Sequence, residues 1–463
     1  MFLWRQYAAS PLFQDKIALR TEQGEFFTWR QLAEKTEDYA AALQQQGVAQ
    51  GEGIALCGKN STDILLLYLA GIQCGARVLG VNPAFPTEKI ARLCAENHIR
   101  FYFSSELKTL PNVTALSLPS ADSNVVFIPI EDDWQRPATM TLTSGSSGLP
   151  KAVVHNVQAH SDNAQGVCRL MQFSAQDAWL LSLPLYHVSG QGIVWRWLSV
   201  GAELHLPTTD FYASLLQATH ASLVPVQLQR LLDYLHQCAP NTFRTRHILL
   251  GGMHIPVALT QALAQFGIQS YCGYGMTEMA STVFAKQSNG SAGVGQPLPQ
   301  REFKLVNGEI WLRGAGAALG YWKNNRIVPI MNDEQWFATK DRGEWRDDEL
   351  VVLGRADNMF ISGGENIQPE EIERVILACE NVEQVFILPK EDEEYGQRPV
   401  AMIKFKDNFS ESAVKNLTIW LNDKLEKFKQ PVQYFPLNSE NRQGNIKISR
   451  VQLKAELLDL LGK

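Results

Sequence analysis

The first hundred residues alternate amphipathic helices with short apolar strands, and that rhythm leaves few folds open. Thr28 and Gln31 form a capping box, in which the hydroxyl and the amide can each satisfy a backbone N–H at a helix start. Leu32, Tyr39, Ala40 and Leu43 follow near helical spacing until Gly47 ends the run. Ile54–Leu56 reads as a strand and Thr62 to Cys74 as an apolar helix. Arg77–Val81 reads as a second strand, closed by Asn82 and Pro83. Strands this apolar need cover on both faces, which predicts an α/β architecture.

The rhythm returns between about residues 140 and 290, with Trp179–Leu183 and His247–Leu250 as strands. From about 300 to 353 it gives way to short strands and turns, Phe303–Val306, Glu309–Leu312 and Leu350–Leu353, expected to form a small β-barrel-like part. Pro369 with Glu370 and Glu371 starts a helix, since proline suits the first turn and acids suit the positive end of the dipole. Val385–Leu388 and Val400–Phe405 read as strands. Val414, Leu417, Leu421, Leu425 and Phe428 mark a helix that stops before Pro431. The expected fold is therefore α/β. Residues 1–353 form a large N-terminal domain of βα subdomains with the barrel-like part, 354–357 a hinge, and 358–463 a small mobile α+β domain.

Composition removes several classes of function. With 463 residues, 45% of them hydrophobic, the chain can bury a large core. A net charge of -6 gives no electrostatic reason for a nucleic-acid or anionic-membrane partner. The longest apolar run, Ile64–Ile72, is too short to cross a bilayer, and Met1 to Ser10 lacks the apolar stretch of a signal peptide. Seven scattered cysteines without a C-x-x-C pair read as reduced core thiols in a cytoplasmic protein. His155 and His160 are the one loose histidine pair, with no third zinc ligand at a recognisable spacing. A homo-oligomer is compatible with all of this.

The segment densest in chemistry runs Thr143, Ser144, Gly145, Ser146, Ser147, Gly148 and on to Lys151, after a strand over Thr139–Thr143. Backbone N–H groups, hydroxyls and one mobile cation suit a polyphosphate, although many such loops are only flexible surface. The glycine spacing, and Ala152 after Lys151, exclude a Walker A loop.

This segment resembles the phosphate-binding loop of the adenylate-forming superfamily, the acyl- and aryl-CoA synthetases, luciferases and adenylation domains. Further segments resemble its other motifs in the same order. Gly273, Tyr274, Gly275, Met276, Thr277 and Glu278 look like its Y-G-x-T-E motif. The resemblance implies Tyr274 against adenine, Thr277 on the α-phosphate and Glu278 on Mg²⁺, which prefers hard oxygen ligands. Gly251, Gly252 and Met253 are similar to a segment lining the acyl and adenine pockets. Asp341 matches a carboxylate for the ribose hydroxyls, with Lys340 where the family has glycine. Arg355 falls near ribose and phosphate, and Asp357 at a hinge. Gly363 and Gly364 match the loop of the thioester step, and Lys447 the catalytic lysine, with Ile446 where glycine is usual.

What the resemblance implies is carboxylate activation with ATP and Mg²⁺ through an acyl-adenylate, then transfer to coenzyme A. Lys447 serves the first step, and rotation about Asp357 replaces it with the Gly363–Gly364 loop for the second.

His187 lies in a segment that resembles the border of the family's acyl pocket; a structural histidine at a turn is the plainer reading. Arg196 is set among large apolar residues, where a guanidinium either reaches solvent or finds an anion. The runs around Trp179–Leu185, His187–Gly192 with Trp195–Trp197, His220–Pro225 and Ile446–Arg450 resemble one subfamily, the bacterial ligases that join 2-succinylbenzoate to coenzyme A. That implies an aromatic dicarboxylate as the small-molecule partner, with Arg196 and Ser222 holding the carboxylate that is not activated. An aryl- or medium-chain acyl-CoA ligase, or a nucleotide-binding protein without catalysis, are the alternatives.

Overall fold

The computed structural model describes residues 1–106, 109–120, 125–143, 150–238, 242–252, 255–362, 365–392, 395–422, 424–437 and 449–462. Two compact units result: Met1–Glu302 with Arg313–Phe337, and Phe303–Leu312 with Ala338–Lys463.

The first unit holds two eight-stranded sheets. In one, Phe101–Ser104, Gly53–Cys57, Arg77–Val81 and Pro137–Thr143 run parallel, and Lys151–Asn156 returns antiparallel to the last. In the other, Ile17–Arg20, Glu203–His205, Ala178–Leu180, His220–Leu223, His247–Leu250 and Gln269–Met276 run parallel, with Ser281–Gln287 antiparallel at one edge. Parallel strands need crossovers, and the helices that make them cover the faces. Helices Val157–Leu170 and Val188–Val200 pack on one another. The second is buried from Gly190 to Leu198, as its all-round apolar sequence requires.

The capping box at Thr28 is present with both of its bonds, and Arg77–Val81 and His247–Leu250 have the bounds their sequence suggests. The strand expected over Trp179–Leu183 ends at Leu180. Beyond it Asn60 replaces the ladder, donating to the carbonyls of Leu181 and Leu183 and accepting from the N–H of Leu185. Among the described residues no helix is long and apolar enough to cross a membrane.

In the second unit the expected barrel-like part is a four-stranded sheet of Arg301–Val306, Glu309–Gly314, Phe337–Arg346 and Glu349–Arg355. The intervening strands Gly320–Lys323 and Arg326–Val328 do not belong to it and extend the first unit's sheet beside Lys151–Asn156. A five-stranded sheet and the helix Pro369–Leu377 build the α+β part. The helix expected to reach Phe428 stops at Leu421. Past that point the Leu421 carbonyl still accepts from the N–H of Leu425, and Gln430 donates to the Leu425 carbonyl, a group a longer helix would have paired. Leu425 and Phe428 nonetheless pack into the same core.

Three buried histidines make stability pH-dependent. Burial disfavours the imidazolium, pushing His155 down to about 3 and His220 to about 4 and holding His160 well below its ordinary 6.5. Between 6.5 and those values the unfolded chain binds more protons than the folded one. Their contribution is therefore intact above 6.5 and is lost on acidification, by about 1.4 kcal/mol per pH unit for each group. Urea denaturation between about pH 7.5 and 5.5 is expected to show this loss, with a shallower slope for His155→Gln; equal slopes for the two proteins would contradict the assignment.

Candidate active site

Strands Pro137–Thr143 and Lys151–Asn156 pair with Thr143 opposite Lys151, which fixes both ends of the Ser/Gly-rich segment. Ser144, Gly145, Ser146, Ser147 and Gly148 lie outside the described residues. The Lys151 ammonium stands 5.0 Å from the ring centroid of Tyr321. The Tyr321 hydroxyl in turn donates to Glu278 Oε1 at 2.8 Å. The strand carrying Gly273, Tyr274, Gly275 and Met276 runs directly into the 3-10 turn Thr277–Met279, so Lys151, Thr277 and Glu278 are gathered at one place. Only glycine fits at Gly275, where a Cβ would lie 2.0 Å from the Ser281 carbonyl oxygen.

Asn60 shapes the segment that leads to His187, which stands half-buried at the start of helix Val188–Val200 with its ring edge-on to Tyr186. Gln191, buried one turn on, donates to Thr141 Oγ1 at 3.0 Å and so ties this helix to the strand before the Ser/Gly-rich segment. Gly251 and Gly252 follow the carboxyl end of strand His247–Leu250, and Gly252 has φ 87°. In parallel α/β sheets that end of the strands is where ligands bind. Met253 lies outside the described residues.

Arg196 does not reach solvent: it is 1% exposed. Nη1 donates to Ser222 Oγ at 3.5 Å, and Nη2 to Ser281 Oγ and Thr282 Oγ1, both at 3.2 Å. Its guanidinium lies 5.2 Å from the Trp179 ring. Among the described residues no carboxylate pairs with it, and its Nε has no partner. Burial pushes its pKa down to about 10, and the nearby Arg301 pushes the same way. A buried cation held only by neutral hydroxyls is costly unless an anion joins it.

In the second unit Asp341 is buried and pairs across its sheet with Arg355, whose Nη1 donates to Asp341 Oδ1 at 3.2 Å. Nε and Nη2 of Arg355 hold both oxygens of Asp357 at 3.0 Å, and these bonds keep the Asp357 carboxyl below its ordinary pKa. Lys340 has φ 62°, a left-handed conformation that glycine adopts without strain. Gly363, Gly364 and Lys447 lie outside the described residues.

The model of the AMP-binding enzyme family matches residues 8–322, and that of the AMP-binding enzyme C-terminal domain matches residues 371–444. The chain belongs to the AMP-binding enzyme family. Adenylate-forming chemistry with ATP follows from that membership. Among AMP-binding enzymes it is 59% identical to the 2-succinylbenzoate–CoA ligase of Haemophilus influenzae, over 98% of both chains. A solved structure of a lysine-for-arginine variant of E. coli MenE with bound OSB-AMS superposes with a TM-score of 0.89, at 44% identity and 98% coverage of each chain. The Bacillus subtilis o-succinylbenzoate coenzyme A synthetase in complex with ATP and magnesium ion superposes with a TM-score of 0.87, at 25% identity, over 98% of this chain and 99% of that one.

Sequence reasoning missed Ser281 and Thr282, although they stand within four residues of Glu278. It also missed Asn163, which shares the buried face of helix Val157–Leu170 with Ala159 and Val167. A polar residue on an apolar face was the available signal.

Proposed function

We propose that this AMP-binding enzyme is an AMP-forming acid–thiol ligase that joins 2-succinylbenzoate to coenzyme A. One carboxylate attacks the α-phosphate of ATP and expels pyrophosphate. The thiol of coenzyme A then attacks the acyl carbon of the mixed anhydride and AMP leaves. The observation that carries the choice of acid is Arg196, a buried guanidinium surrounded by hydroxyls and lacking a carboxylate partner among the described residues. Arg196, with Ser222, receives the aromatic carboxylate while the other is activated. His187 borders the acyl pocket, and Gly251, Gly252 and Met253 line it.

Tyr274 lies against adenine with Gly273, Gly275 and Met276 shaping its strand, Thr277 donates to the α-phosphate, and the loop from Thr143 to Lys151 takes the outer phosphates. Asp341 accepts from the ribose hydroxyls and Arg355 stands close to it. Glu278 is the ligand for magnesium: its carboxylate is oriented by Tyr321, and magnesium takes one or two carboxylates with the rest of its shell from phosphate and water. When bound it offsets charge on the phosphate oxygens. Asp357 is the hinge, and Gly363 and Gly364 admit the pantetheine arm. No charge relay or side-chain nucleophile is required.

The test is thioester formation followed by mass spectrometry, with ATP, Mg²⁺, coenzyme A and, in turn, 2-succinylbenzoate, benzoate, 4-phenylbutyrate and octanoate. A thioester from 2-succinylbenzoate alone is expected. Turnover of the monocarboxylates with none from 2-succinylbenzoate would leave the ligase chemistry and discard the dicarboxylate site.

A further inference from the structure

The turn that carries Thr277 and Glu278 leads into Ser281 and Thr282, two of the three hydroxyls on Arg196. At that junction the backbone takes successive positive φ values, 55° at Ala280 and 126° at Ser281. Residues other than glycine hold such values only where their surroundings fix them.

Asn163 bonds the backbone on both sides of this pair, in addition to the ladder that joins Gly275 to Thr282 and Met276 to Ser281. Its side chain is 1% exposed, and Nδ2 donates to the Met279 carbonyl at 2.8 Å and the Thr282 carbonyl at 2.9 Å. Those carbonyls flank the strained pair. Gly316 leaves the space that the bond to Met279 needs, because a Cβ there would lie 3.1 Å from Nδ2 and 2.6 Å from the Met279 oxygen. Arg301 steadies the helix below by donating to the Asn163 carbonyl at 2.7 Å. On the opposite side Gly192 allows a close approach: a Cβ there would meet Ser281 Oγ at 2.9 Å and Arg196 Nη2 at 3.2 Å.

We propose that Asn163 is a positioning residue for choice of acid: it holds the Met279–Thr282 turn in the form that sets Ser281 and Thr282 on Nη2 of Arg196. This rests on the reading of Arg196 as the anchor of a second carboxylate. A guanidinium fixed along one edge needs less ordering when a carboxylate meets the other. If the turn relaxes, the arginine loses that orientation and the dicarboxylate binds less well. An acid without the second carboxylate has no such contact to lose.

The experiment measures pyrophosphate release by the full chain with 2-succinylbenzoate and with 4-oxo-4-phenylbutanoate, which lacks the aromatic carboxylate. Wild type, Asn163→Ala, Arg196→Leu and the double variant are compared. Asn163→Ala is expected to lower the dicarboxylate-to-monocarboxylate ratio of kcat/KM by about tenfold, through KM for the dicarboxylate, with kcat held within about threefold. In the Arg196→Leu background it should lower that ratio no further. Equal loss for both acids, or an unchanged ratio, overturns the role of Asn163 even where Arg196→Leu behaves as expected. An unchanged ratio in Arg196→Leu instead removes the anchor itself. Should Asn163→Ala not fold, Ser281→Ala with Thr282→Val removes the two hydroxyls and leaves Asn163 in place. That pair is expected to lower the ratio likewise, and a wild-type ratio overturns the proposal.

Discussion

Arg196→Leu is expected to raise KM for 2-succinylbenzoate by about 100-fold, the loss that goes with removing one partner from a buried, hydrogen-bonded charge pair. The melting temperature is expected to hold within a few degrees or rise. Without substrate the guanidinium is a charge taken out of water, with three hydroxyls and the face of Trp179 as its compensation. Hydroxyls solvate a cation less well than water does, and the depressed pKa of about 10 reports that deficit. Leucine removes the deficit but leaves a small cavity and three hydroxyls without their donor, and these effects oppose one another. With bound dicarboxylate the balance reverses, because the arginine then has a full counter-charge in a site of low dielectric. An unchanged KM would remove the anchor. A collapse of the melting temperature with KM preserved would make Arg196 a structural residue. The measurement needs only steady-state kinetics and a thermal melt on one variant.

What was legible in the sequence follows from how local each signal is. The capping box at Thr28 and the strand Arg77–Val81 rest on neighbours a few residues apart, and both stand where the sequence puts them. The helix from Glu411 did not, because apolar spacing reports burial and not backbone geometry. Leu425 and Phe428 stay in the core after the helix has ended. The motif residues were recognisable because each lies in a short run, and Lys340, noted as standing in place of glycine, does adopt a left-handed conformation. The environment of Arg196 was legible only in part. Its apolar neighbours in sequence announced an awkward charge, but Ser281 and Thr282 come from a strand more than eighty residues away. Asn163 is further still from the turn it holds, and nothing in its own helix names that turn. Contacts of this kind are set by which strands become neighbours in the sheet, and one chain read from end to end does not contain that pairing.

Lys447→Ala is expected to divide the two half-reactions. Pyrophosphate release with acid and ATP should fall by about 10²- to 10³-fold, the usual loss when one group that stabilises developing charge is removed. Thioester formation from supplied acyl-adenylate and coenzyme A should stay within about threefold. The reason lies in charge. In the first step a carboxylate approaches a phosphate that already bears negative charge, and every cation near the meeting oxygens lowers the barrier. Lys151, beside Tyr321 and Glu278, remains in place in the variant, so the step should be slowed and not abolished. In the second step a thiol attacks a carbonyl and AMP carries its charge away, so two anions do not have to converge. The proposed hinge gives the division a structural basis. Asp357 is gripped at both oxygens by Arg355, and Gly354, at φ 142°, holds a backbone conformation that side-chain-bearing residues rarely adopt. Under the proposal, a glycine three residues from Asp357 is where a hinge would absorb a change of backbone angles. Equal losses in both half-reactions would sink this division, because they would make Lys447 a residue of general binding or stability and leave rotation about Asp357 with nothing to exchange.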